Sequence, residues 1–207
     1  QMNEFPKIVK FAYDWECNIN CKICRESINR LPKEDLERLN SKIDTFFLPL
    51  LRSADKVIIN ASGDPFGSRH SRFLIKKAAQ KYKKLKFDFH TNGILCNQKM
   101  FDNLNINPQN IDCIRISIHA ATKETYAKIV PNGEKLFPVI LKNLQWLKEL
   151  RMSIKPKDRF SVNTHFVIIP DNYKEIPDFI KLSRVNGTIP FFWECRAENS
   201  TRLQNEN

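Results

Sequence analysis

Three of the six cysteines fall close together, as Cys17-Asn-Ile-Asn-Cys21-Lys-Ile-Cys24, whereas Cys96, Cys113 and Cys195 stand alone. Loops this short close a strain-free disulfide poorly, and three thiols leave one unpaired. A structural zinc site wants four ligands, usually as two Cys pairs set well apart, and no second Cys/His pair with that spacing follows. Three soft thiolates on one flexible loop suit instead an iron–sulfur cluster held at three irons, with the fourth iron open to an outside ligand. An open iron is a place for chemistry.

Such a loop needs a scaffold, and the rest of the chain supplies one. Apolar β-rich runs at Lys7–Tyr13, Lys56–Ala61, Lys86–His90, Cys113–His119, Phe160–Ile169 and Pro190–Cys195 alternate with helical patterns. The helices are expected at Leu36–Leu51, Arg72–Lys84, Gln98–Leu104, Lys123–Ile129, Leu136–Leu150 and Tyr173–Arg184. Alternating strands and helices predict right-handed βαβ units and a parallel sheet. A full eight-unit barrel takes about 250 residues. The 207 residues here reach only six units. The expected fold is therefore α/β, a partial (β/α)6 TIM-like barrel with a parallel sheet, spanning residues 1–197 with the cluster loop at 15–26. Residues 198–207 read as a polar, mobile tail.

Strand alternation places further polar side chains. In Phe87-Asp88-Phe89-His90-Thr91-Asn92 one face is aromatic and the other carries Asp88, His90 and Asn92. In Ile114-Arg115-Ile116-Ser117-Ile118-His119 one face is all Ile and the other carries Arg115, Ser117 and His119. The apolar faces belong under the helices, so the polar faces line the barrel interior, with Asn60, Ser62, Asn163 and His165 continuing them. Ordinary barrels are filled by Val, Ile and Leu, so a polar lumen points to a polar ligand. The plainer reading is a buried Asp88–Arg115 pair that also satisfies the histidines.

Taken in order, these segments resemble the radical S-adenosylmethionine (radical SAM) superfamily. Cys-x-x-x-Cys-x-x-Cys after a short first strand is similar to its cluster motif, with Ile23 in an apolar position where most members carry an aromatic residue. The resemblance implies that Cys17, Cys21 and Cys24 hold a [4Fe-4S] cluster whose open iron takes the amino and carboxylate groups of S-adenosylmethionine. Ser62-Gly63-Asp64-Pro65 resembles the Gly-Gly-Glu-Pro element that binds the cosubstrate's amino group, Gly63 because close backbone approach tolerates no Cβ. Asn92 lies in a Thr-Asn-Gly that is similar to the one after the third strand of many members. The resemblance also implies a ribose or methionine contact from Ser117 and an adenine contact at Val167. His119 stands where Asp is common, either as a substrate contact, a proton carrier or a structural residue. Val130-Pro131-Asn132-Gly133 lacks the Arg that relatives often carry, which leaves either Lys128 as a substitute cation or none.

As a radical SAM member the chain is expected to be an enzyme, an oxidoreductase or transferase. With one external electron it would cleave S-adenosylmethionine to methionine and a 5′-deoxyadenosyl radical, which takes hydrogen from a polar substrate, small molecule or peptide. A flavodoxin- or ferredoxin-like donor is implied. The alternative is a non-catalytic iron–sulfur module for binding or sensing on the same fold, and a zinc-binding module is a third option. Cys113 reads as a core thiol, Cys96 as an exposed loop residue, and Cys195 alone cannot hold a second cluster.

Composition narrows the setting. The 34 Lys+Arg against 23 Asp+Glu give a formal charge of +11, and Lys76, Lys77, Lys81, Lys83, Lys84 and Lys86 gather around the second helical run. Such a surface can attract nucleic acid, but no base-stacking aromatics stand beside it, and a solvated helix face accounts for it. No apolar run reaches the roughly 18 residues of a membrane span. The N-terminus shows no basic-then-apolar leader, so the expected location is the cytoplasm, with reduced thiols.

Overall fold

The computed structural model describes residues 6–24, 27–59 and 62–195. The expected lumen residue Asn60, the expected strand end at Ala61, the end of the cluster loop at 25–26 and the tail lie outside the described residues. Six parallel strands pair in chain order: β1 Ile8–Phe11, β2 Lys56–Ile59, β3 Lys86–Thr91, β4 Ile111–Ser117, β5 Ser161–Ile168 and β6 Ile189–Glu194. Every neighbouring pair is parallel, and β1 and β6 are the outer strands, so the sheet is an unclosed α/β sheet of the partial-barrel kind.

The helices are α1 Lys33–Ser41, α2 Leu48–Leu50, α3 Arg69–Lys81, α4 Gln98–Leu104, α5 Lys123–Ile129, α6 Gly133–Ser153 and α7 Ile176–Val185. Side-chain caps at Ser68, Asn97 and Thr122 accept from the backbone N–H groups of Ser71, Met100 and Thr125, fixing where α3, α4 and α5 begin. The single helix expected over Leu36–Leu51 is instead α1, a π-helical turn at Ile43–Phe47, and α2. Pro49 explains the break, because its ring would clash with the carbonyl one turn back and it offers no N–H. The wider turn lets Phe47 reach Phe11, Tyr13 and His70, with ring centroids 5.7, 5.0 and 5.5 Å away.

The outer face of the sheet forms the core, as alternation required. Ile114, Ile116 and Ile118 are fully buried, Phe89 packs on Phe66 at 5.1 Å, and Phe166 packs on Phe179 of α7 at 4.7 Å. Burying each such side chain contributes roughly 1.5–3 kcal/mol. Cys113 is buried as expected, but Cys96 is not the exposed loop thiol its sequence context suggested. Asn143 of α6 donates to the carbonyls of Gly93 and Ile94 at 2.8 and 2.9 Å, which folds that loop inward and buries Cys96 completely. Burial pushes its thiol pKa up. The basic run is a solvated face: Lys77 pairs with Asp44 at 2.9 Å, and Lys86 donates to the Gln109 carbonyl at 2.6 Å.

Candidate active site

The loop after β1 carries Cys17, buried, Cys21, half-buried, and Cys24, exposed; all six cysteines are thiols and none forms a disulfide. Cys24 N–H donates to the Cys21 carbonyl at 2.9 Å, which turns the second half of the motif back on itself. Lys22 N–H donates to the Ile129 carbonyl at 2.9 Å, tying the loop to the end of α5, and Ile23 packs into the core. Among the described residues no three His, Cys, Asp or Glu side chains are gathered at metal-gripping distance.

The loop after β2 locks against it. Gly63 N–H donates to the Asp14 carbonyl at 3.0 Å and Asp64 N–H to the Glu16 carbonyl at 2.8 Å. A Cβ on Gly63 would sit 1.8 Å from the Glu16 carbonyl oxygen, so the close approach expected at this glycine is to the cysteine loop's own backbone. Asp64 is buried, and its carboxylate accepts from Phe66 N, Gly67 N, Thr91 Oγ1 and Asn92 N at 2.7–2.9 Å. Burial pushes its pKa up, with those four donors pulling against the shift. Asp64 thus organises the loop, Pro65 lies buried beside it, and the Ser62 hydroxyl donates to the Ala12 carbonyl at 3.4 Å.

Asn92 joins the two halves. Its amide nitrogen lies 3.8 Å from Cys17 Sγ and 2.9 Å from Asn18 Oδ1, while its Oδ1 accepts from Ile94 N–H. Three supporting residues escaped sequence reasoning. Asp14 accepts from the hydroxyls of Ser68 and Ser71, and Glu16, nearly buried, takes Arg69 at 2.5 Å together with the backbone N–H groups of Arg69 and Leu31. Burial raises the Glu16 pKa, but Arg69 and the two N–H groups more than offset it, and the net shift is downward. The available signal was the acidic spacing Asp14-x-Glu16 just ahead of Cys17.

Further along the sheet, Ser117 shares a 3.3 Å hydrogen bond with His90, whose ring meets His165 at 5.0 Å. Asp88 and Arg115 form the pair anticipated by the plainer reading, but only Asp88 is buried while Arg115 is half-exposed, and the histidines take other partners. His119 has a left-handed backbone, φ 62°, held by Asn172 Nδ2 donating to its carbonyl at 2.8 Å. Its Nδ1 accepts from Val167 N–H at 3.0 Å, and burial drives its pKa to about 3. This ring is neutral and committed to the strand, which favours the structural role over proton carriage. Val167 is half-buried on the same face, its backbone occupied by His119 and Asn172.

A loop of three thiols at the carboxyl end of a parallel sheet, braced by the next two strand ends, is where such folds hold ligands. A family model described as the Radical SAM superfamily matches residues 16–183, and the chain belongs to that superfamily. Among solved structures it is similar to Streptococcus suis SuiB bound to the precursor peptide SuiA, at 16% identity and a TM-score of 0.56 over 93% of this chain and 40% of that one. It is also similar to TYW1 with a lysine-pyruvate adduct bound, at 21% identity and a TM-score of 0.54 over 90% of this chain and 65% of that one. These likenesses are of fold, and the chain spans less than two thirds of either relative. No curated protein matches it in sequence.

The superfamily's cofactors are a [4Fe-4S] cluster and S-adenosylmethionine. The residues fit them in donor chemistry, since three thiolates on one turn suit iron–sulfur binding. They fit also in an orphaned group: the Tyr126 hydroxyl of α5 is buried with no hydrogen-bond partner among the described residues. Burial raises its pKa, and the Cys21, Asp64 and Cys17 charges raise it further. A buried O–H donor left unmatched is a group that a bound cofactor would satisfy.

Proposed function

We propose that this chain is the catalytic core of a radical SAM enzyme, with residues 1–197 as the partial barrel and 198–207 as a polar tail. The observation that carries the reading is the bracing of the Cys17 loop by Gly63, Asp64 and Asn92. Three consecutive strand ends converge on one thiol loop, more than a structural metal clip requires.

In this reading Cys17, Cys21 and Cys24 hold the cluster at three irons. When bound, the cofactors supply one-electron reductive cleavage of S-adenosylmethionine to methionine and a 5′-deoxyadenosyl radical that abstracts hydrogen from substrate. The chain's part is positioning and exclusion of water. Ser62, Gly63 and Pro65 present backbone to the methionine amino group, and Asp64 holds that backbone in shape. Ser117 faces the ribose or methionine portion, and Val167 with Ile23 offers apolar surface. His119 fixes the β4–β5 junction beneath them. The electron comes from a flavodoxin- or ferredoxin-like protein in the cytoplasm, and the substrate is a polar small molecule or peptide. The precursor peptide in the SuiB structure supports the peptide option.

The reading is tested by anaerobic reconstitution with iron and sulfide, followed by electron paramagnetic resonance of the reduced protein with and without S-adenosylmethionine. A cluster signal that changes when the cosubstrate is added supports an open iron. A protein that takes up zinc and no iron, or a signal indifferent to the cosubstrate, contradicts it.

A further inference from the structure

The inner face of the sheet is not uniformly polar, and its unevenness describes a ligand. On the β3–β4 side Asp88 is 1% exposed and answered by Arg115, whose Asp88 contact is its one ion pair among the described residues. Lys56 and Asp112 pair with each other at 2.9 Å. Lys10 of β1 faces the same space and makes no hydrogen bond or ion pair with a described residue, yet its charge reaches His90. The balance is one surplus positive charge, with guanidinium N–H groups of Arg115 still available.

The imidazoles add donors but no charge. Burial first, and the cations Arg115 and Lys10 after it, hold His90 at a pKa of about 4. Burial first, and then His90 and Arg115, hold His165 at about 4 as well. Next to them the Oδ1 of Asn163, on a residue 9% exposed, has no hydrogen-bond partner among the described residues, while its amide nitrogen donates to Cys113 Sγ. A buried acceptor left unmatched costs about 1–3 kcal/mol, so a ligand donor would be favoured there.

On the neighbouring strand the lumen turns apolar. Ile189, Phe191 and Trp193 alternate onto the inner face of β6 and are 54%, 40% and 54% exposed. The His165 ring packs on Phe191 and Trp193 at 5.5 and 5.9 Å, joining the two zones, while Phe192 turns outward to α7. Large apolar side chains left open beside a cationic pocket mark a binding surface.

We propose that the lumen binds a substrate group made of a carboxylate or phosphate with an adjacent O–H or N–H donor, carried on an aromatic or broad apolar body. The anion meets Lys10 and Arg115, the donor meets Asn163, and the body lies along Ile189, Phe191 and Trp193. As a substrate site it rests on the enzymatic reading above; as a binding site it stands on these side chains alone.

The test uses the reconstituted full chain with histidine carbons labelled, titrated with 3-phenyllactate, its phosphonate analogue 1-hydroxy-2-phenylethylphosphonate, and 3-phenylpropane-1,2-diol, the neutral counterpart of phenyllactate. His90 and His165 signals are expected to move, and that of His70, packed between Tyr13 and Asn40 away from the lumen, to stay. An anion should bind about tenfold tighter than the diol. Lys10→Gln should remove most of that preference, and Trp193→Ala should weaken all three probes alike. Whichever of phenyllactate and its phosphonate analogue binds better identifies the anion. Equal binding of diol and anions, an unaltered preference in Lys10→Gln, or unmoved His90 and His165 signals overturns the proposal. A parallel assay for 5′-deoxyadenosine separates the two claims: its failure sinks the enzymatic reading and leaves the binding result standing.

Discussion

Gly63→Ala tests the joint between the two loops. The new methyl carbon would start 1.8 Å from the Glu16 carbonyl oxygen, 2.5 Å from Glu16 C and 2.8 Å from Trp15 C, all backbone atoms with no rotamer to yield. Real contacts of this kind stay beyond about 3 Å, so one loop must retreat by roughly 1.2 Å in a closely packed setting. That retreat breaks the 3.0 Å bond from Gly63 N–H to Asp14 and the 2.8 Å bond from Asp64 N–H to Glu16. Two hydrogen bonds at about 0.5–1.5 kcal/mol each, and overpacking at about 1–3 kcal/mol, give a loss of roughly 2–6 kcal/mol. For a chain of this size that corresponds to a melting temperature lower by about 5–20 °C. Cys17 should also lose its place beside Asn92, so iron uptake falls. Circular dichroism melts and iron per chain after reconstitution report both. Gly187→Ala is the control, with a Cβ 2.9 Å from the Arg151 guanidinium and a positive φ of 66°; it should cost about 1 kcal/mol and keep its iron. If Gly63→Ala melts within about 2 °C of the parent and loads iron fully, the bracing argument is wrong.

Two further outcomes follow from buried groups. The native pKa values of about 4 for His90 and His165 and about 3 for His119 lie below the ordinary 6.5. The unfolded chain then binds more protons between roughly pH 4 and 6.5, so stability is full above that window and falls as pH drops through it, by up to about 1.4 kcal/mol per pH unit for each histidine. Melting at pH 7 and pH 5 should show the decline, and His165→Gln should flatten it; a slope unchanged by that substitution would refute the assignment. Tyr126→Phe removes an unmatched buried hydroxyl and should stabilise the metal-free chain by up to about 1 kcal/mol. Thermal melts of the parent and the variant check this. A variant less stable than the parent would contradict an unmatched hydroxyl.

The parts of the fold written in periodic patterns were legible. Alternation in Phe87–Asn92 and Ile114–His119 gave the correct inner and outer faces, and α4 and α5 have the bounds their sequence predicted. Cys spacing gave the thiol loop because ligand spacing on one loop is local information. What stayed hidden is relational. Asp64 looks like a ligand contact in sequence, and only the meeting of Thr91, Asn92, Phe66 and Gly67 around it reveals four intramolecular donors. Cys96 looks exposed until Asn143, far along the chain, draws its loop inward. Pro49 alone signalled the π-helical turn that breaks the first helical run, a cue the apolar periodicity masked. The apolar β6 wall escaped because its importance depends on the histidine of the neighbouring strand.

The central claim is that the Cys17, Cys21 and Cys24 loop holds a cluster that cleaves S-adenosylmethionine. The most direct measurement is chromatographic yield of 5′-deoxyadenosine from reconstituted protein, dithionite and S-adenosylmethionine under anaerobic conditions, beside Cys17→Ala, Cys21→Ala and Cys24→Ala. The account predicts 5′-deoxyadenosine from the parent chain and background levels from each variant. No 5′-deoxyadenosine from an iron-loaded parent, or the same yield after losing any one of the three thiols, would contradict it.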